Sequence, residues 1–225
     1  MTGRSTLAAL TVAALSLCDG RTAVAQGSAS TASEARAIAA SNGVVSRRGD
    51  TLTIRISGRA PLRFINRQAD PTATIDFTYE GTVPASALHV VRVHYYETGD
   101  VLTVDGVTGD TAHMVNRPEV SPSGRFAAAT TYDMSGIGEA VNAMQIWQLK
   151  PAPAREVWSL QMLPPDTVGL WGASIAGWSG DSIVRLVRHV VVPGKQNAQG
   201  DYPERRAPAR LVRMDTTWRL DTLPR

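Results

Sequence analysis

The chain has a single cysteine, Cys18, in 225 residues. That excludes a disulfide framework and a four-cysteine zinc site. Lysine is nearly absent: Lys150 and Lys195 are the only two, so almost every basic residue is arginine. Codon bias in a GC-rich genome accounts for this, since a phosphate-binding surface would cluster the arginines with aromatics. The formal charge of +3 is too small to call for a nucleic-acid partner. No run of about 18 apolar residues occurs, so no transmembrane helix is expected.

Chemical motifs are equally scarce. Ser135-Gly136-Ile137-Gly138 lacks the lysine that a phosphate-binding loop needs. Asp105 and Asp110 lack the ligand spacing of a calcium loop. His89 and His94 are an odd number of residues apart on an expected strand, so they face opposite ways and cannot share a metal. His113 and His189 stand far off in sequence. No metal site and no cofactor are expected. The nearest approach to a serine-nucleophile elbow is Gly172-Ala173-Ser174-Ile175-Ala176-Gly177. It is one residue too long and is followed by strand, so it reads as a strand of small residues. No catalytic residue is assigned.

What is present begins with an address. Met1-Thr2-Gly3-Arg4 is a short basic start, 5–18 is uncharged and rich in Ala, Leu and Val, and Ala23-Val24-Ala25-Gln26 supplies a small-residue site. This is the pattern of a secretory signal peptide over 1–25, cleaved after Ala25. The product would be periplasmic or extracellular. A lipid anchor on Cys18 is the weaker alternative, because Leu17 stands where a small residue belongs. The exported chain would carry 21 basic and 19 acidic residues, a charge of +2.

Residues 26–42 are Ala/Ser-rich and lack aromatics. They read as a flexible spacer, although Thr31 and Glu34 could open a short helix as a capping box. From Val44 onward the period is two. Leu52, Ile54 and Ile56 alternate with polar residues, the mark of a half-buried strand. Further strands are expected at 62–65, 74–79, 88–96, 101–104, 126–131, 144–149, 155–160, 182–192, 209–214 and 217–220. Gly99-Asp100, Thr108-Gly109-Asp110, Pro122-Ser123-Gly124 and Gly180-Asp181 punctuate them as turns. The fold class is therefore all-β, a single domain over 43–225.

The strands repeat. Val120-Ser121-Pro122-Ser123-Gly124-Arg125-Phe126 lies over Gly177-Trp178-Ser179-Gly180-Asp181-Ser182-Ile183, and each is followed by two more strands. A weaker copy spans 73–113, and 44–65 could supply a partial first one. A four-strand unit of this length has the size of one propeller blade. Ser121-Pro122-Ser123-Gly124-Arg125-Phe126 resembles the turn of WD40-like and TolB-like propeller repeats, and Met144-Gln145-Ile146-Trp147-Gln148-Leu149 resembles their Trp-bearing strand. Ser123 and Gln148 replace the usual aspartates, and no Gly-His pair occurs. The resemblance implies a small β-propeller-like fold of about four blades with the first incomplete; a β-sandwich is the alternative. The tryptophans Trp147, Trp158, Trp171, Trp178 and Trp218 recur at matching positions and are expected to pack between units.

Two long connections, 132–142 and 193–208, each join consecutive strands within a repeat and would leave the scaffold on one face. Long loops on a rigid scaffold are where binding resides. The expected binding residues are Asp133, Glu139, Tyr202, Arg205 and Arg206. The expected function is an exported, non-enzymatic protein that binds a protein, peptide or envelope component. The alternative is an exported hydrolase or lyase acting on a polymer, marked by titratable groups converging in one pocket.

Overall fold

The computed structural model describes residues 21–68, 70, 73–84, 86–96, 98–132, 142–162, 171–192 and 203–222. After a helix, α1 (Arg21–Ala40), the regular elements among the described residues are strands. The strands form four antiparallel sheets, none closed on itself. The first is β1 (Val45–Arg48), β2 (Thr51–Ile54) and β3 (Leu62–Ile65). The second is β4 (Asp76–Thr82), β5 (Leu88–His94), β6 (Gly99–Asp105) and β7 (Thr111–Met114). The third is β8 (Glu119–Val120), β9 (Phe126–Thr131), β10 (Asn142–Gln148) and β11 (Arg155–Met162). The fourth is β12 (Trp171–Ser179), β13 (Ile183–Val191), β14 (Glu204–Met214) and β15 (Thr217–Thr222). Each sheet is a meander in chain order, with strands consecutive in sequence paired antiparallel.

The sheets stack in chain order through three apolar layers. Val45, Leu52 and Ile54 of the first sheet meet Tyr79, Val91, Val93, Leu102 and Val104 of the second. The second sheet's other face, with Leu88, Val90, Val101 and Met114, meets Ala127, Ala129 and Leu149 of the third. Phe126, Ala128, Met144 and Ile146 then meet Val184, Leu186, Leu211 and Trp218 of the fourth. The middle sheets are thus apolar on both faces. That is why Ala127-Ala128-Ala129 runs without a polar break: a strand covered on both sides has no solvent face to mark. Among the described residues, no apolar cluster joins the first sheet to the fourth.

The turns aligned by sequence also correspond in space. Gly124 (φ 71°) and Gly180 (φ 58°) each take the left-handed conformation that only glycine adopts freely. The Ser123 hydroxyl donates to the Asp181 carboxylate, so the turn of the third sheet is bonded to that of the fourth. This bond holds the Asp181 carboxyl below its usual range.

Residues 26–42, expected as a spacer, lie mostly in α1. The helix is held by tertiary contacts rather than by a strong apolar stripe. Ala37 and Ile38 pack on the first apolar layer. Glu34, rather than serving in a capping box, accepts from Arg47 (2.7 Å) and from the Tyr79 amide (2.7 Å). Gly99-Asp100, expected as a turn, opens β6 and pairs with His94 and Val93. The reversal comes just before it, where the Tyr95 amide bonds the Thr98 carbonyl at 2.8 Å.

Candidate functional site

Strands β12, β13 and β14 lie side by side, and their register brings residues of all three strands together on one face. Gly172 pairs with His189, which also pairs with Arg206; Ser174 pairs with Val187, and Val191 pairs with Glu204. Cross-strand partners share a face and alternate residues share a face. Ser174, His189, Glu204 and Arg206 therefore occupy one face of the fourth sheet.

Their side chains form a chain of hydrogen bonds. Ser174 Oγ lies 2.8 Å from His189 Nε2, and His189 Nδ1 lies 2.7 Å from Glu204 Oε1. An ionised carboxylate only accepts, so His189 Nδ1 carries the proton. In the neutral imidazole Nε2 is then the acceptor, and the Ser174 hydroxyl donates to it. Glu204 Oε1 also accepts from Arg206 Nε at 2.8 Å. The Arg206 bond first, and the His189 bond second, hold the Glu204 carboxyl below its usual range against the opposing effect of burial. His189 is 3% exposed, and Ser174 is half-buried.

The imidazole is fixed from above as well. The Tyr132 ring stacks on it at 4.4 Å and 15°. Tyr132 reaches this position because residue 172 is glycine: a Cβ there would lie 2.3 Å from Tyr132 Cβ. Asn142 Nδ2 donates to the Trp171 carbonyl at 3.0 Å and ties the third sheet to the same place. Beside Ser174 on this face runs a groove of 650 Å³, floored by Ala176, Ile183, Val187 and Pro208 and flanked by Arg185 and Arg206.

Of the five residues expected to bind, Arg206 belongs to this cluster. Arg205 pairs with Val190, so it faces the opposite side of the sheet, and it is exposed. Asp133, Glu139 and Tyr202 lie outside the described residues. The cluster's other members escape a linear reading. Ser174, His189 and Glu204 are each 15 residues apart, a spacing that means nothing until two hairpins set the register. Ser174 sits within β12, so the strand-to-helix elbow is absent. Its histidine partner is supplied by the neighbouring strand instead.

Other polar side chains pair away from this cluster. His89 is buried, with Nδ1 3.0 Å from the Tyr79 hydroxyl. His94, on the same strand, is exposed. In the cleft between α1 and the second sheet, Glu80 pairs with Arg92 at 2.6 Å and with Arg117 at 4.0 Å. Among the described residues no three His, Cys, Asp or Glu side chains are grouped to hold a metal. Trp158, Trp171 and Trp178 pack with buried Trp218 between the third and fourth sheets, and Trp147 packs between the second and third.

No protein-family model matches the chain, and no match is found among curated proteins or solved structures.

Proposed function

We propose that the protein is an exported binding or interaction protein built on a β-propeller-like stack of about four blades, the first of them short. Two features support the architecture: successive four-strand meanders stacked face to face, and the bond between corresponding turns at Ser123 and Asp181. A two-sheet sandwich would leave one face of each sheet in water, whereas both middle sheets bury both faces.

The observation that carries the binding reading is the convergence around His189. Tyr132 and Asn142 flank 133–141, Trp171 follows 163–170, and Glu204 follows 193–202; all four residues belong to this one cluster. The three intervening segments therefore start or end at one place on a rigid scaffold. A recognition surface for a protein, peptide or envelope component belongs there. The test replaces 195–202 with a short Gly/Ser linker and repeats a pull-down from the organism's own envelope fraction. Loss of a specific partner with an unchanged melting profile is expected; an unchanged partner set refutes the reading.

A second reading, an exported hydrolase, is favoured by one observation. Ser174, His189 and Glu204 are joined in the order and through the ring nitrogens that an activated serine requires.

A further inference from the structure

We propose that Ser174 is a nucleophile toward carboxylic esters, and that the groove beside it receives an apolar acyl chain. The proposal rests on the hydrolase reading and names its nucleophile, base and substrate class. A serine hydroxyl is a weak nucleophile unless a base takes its proton as it attacks. His189 Nε2, 2.8 Å from Ser174 Oγ, stands at the distance for that transfer. Glu204, bonded to Nδ1 at 2.7 Å, fixes the tautomer that leaves Nε2 free to accept. Tyr132 stacked on the ring and the Arg206 bond to Glu204 keep base and carboxylate in line.

The step balances with these groups and water alone. Ser174 Oγ bonds to the ester carbonyl carbon while its proton passes to His189 Nε2. The imidazolium is stabilised by the Glu204 carboxylate. The carbonyl carbon's bond to the alkoxy oxygen breaks, and the alcohol leaves with the proton from Nε2. Water then attacks the acyl-serine by the same path, releasing the acid and restoring the hydroxyl.

The substrate class follows from what adjoins Ser174. Its cross-strand neighbour is Val187, and Val187 in turn pairs with Pro208. Both line the groove, together with Ala176 and Ile183. An acyl group held at Ser174 would lie along that apolar floor.

The test uses the full chain with a fluorophosphonate probe and intact-mass readout, then para-nitrophenyl acetate and octanoate. One equivalent of phosphonate on Ser174 is expected, absent in Ser174→Ala and retained in Ser159→Ala. Glu204→Gln should slow labelling about 100-fold, within the range set by losing base catalysis. Val187→Asp should cut the octanoate-to-acetate turnover ratio about tenfold. A folded wild-type chain that never labels at Ser174 overturns the nucleophile and the hydrolase reading with it. Labelling with no preference for the longer chain, unaltered in Val187→Asp, overturns the substrate class alone.

Discussion

Gly172→Ala measures how firmly the third sheet's Tyr132 is seated on the fourth. In an ordinary strand this change is mildly stabilising, by about 0.5–1 kcal/mol, because glycine loses more backbone freedom on folding. Here the added Cβ would fall 2.3 Å from Tyr132 Cβ and 3.1 Å from Tyr132 Cγ. The nearer atom is fixed to the backbone, so no rotamer change relieves the contact; β12 or the chain at Tyr132 must shift. Overpacking of this kind costs about 1–3 kcal/mol. For a domain of this size that is a drop in Tm of roughly 2–12 °C by calorimetry. The double-mutant cycle sharpens the test. Tyr132→Ala keeps the offending Cβ, so Gly172→Ala should still destabilise in that background. Tyr132→Gly removes it, and there Gly172→Ala should become neutral or stabilising. A Gly172→Ala protein that melts at or above the wild-type temperature would refute the stacking of Tyr132 over β12, and with it the seating of His189.

Three further outcomes follow from the packing and the buried groups. Trp218→Ala removes a side chain that is 4% exposed and edge-on to Phe126 (5.7 Å) and Trp178 (6.0 Å); it should cost about 3–5 kcal/mol in urea denaturation, and a loss below about 1 kcal/mol would contradict the third apolar layer. Glu34→Ala leaves the Tyr79 amide without its acceptor and should cost about 1–3 kcal/mol. Limited proteolysis should then cut at Arg36 faster than in wild type, and equal rates would mean that α1 is not held by Glu34. Burial lowers the His89 pKa below its ordinary value, against a weaker opposing effect from Asp105. Its contribution is therefore complete above the unfolded value of about 6.5 and is lost below it, as pH falls through the lower folded value. Urea midpoints between about pH 7 and pH 5 should fall more steeply for wild type than for His89→Gln; parallel slopes would rule this out.

The strand plan was legible in the sequence because each half-buried strand carries its own period. The alternation from Leu52 to Ile56 and the runs at 62–65 and 126–131 needed no partner to be read. The two tight turns were legible too, since each holds a glycine in the left-handed conformation, Gly124 and Gly180. Helix α1 was not. Its residues are small and weakly patterned, and what holds it lies far off in the chain: the apolar layer under Ala37 and Ile38, and Arg47 and the Tyr79 amide bonded to Glu34.

The candidate site shows the same limit more sharply. Arg205 and Arg206 both adjoin a long connection, and the sequence does not separate them; Arg206 bonds Glu204, while Arg205 faces the other way, because successive residues of a strand alternate. Ser174 lies within a strand and has no strand-to-helix elbow, so nothing in its own segment marks it. Short-range order in the sequence was enough for the all-β class and the positions of most strands. Only the tertiary structure could decide which faces are covered on both sides, what α1 docks on, and that Ser174, His189 and Glu204 meet. Those depend on register and stacking, in which each residue's partner is chosen by the whole sheet rather than by its neighbours in the chain.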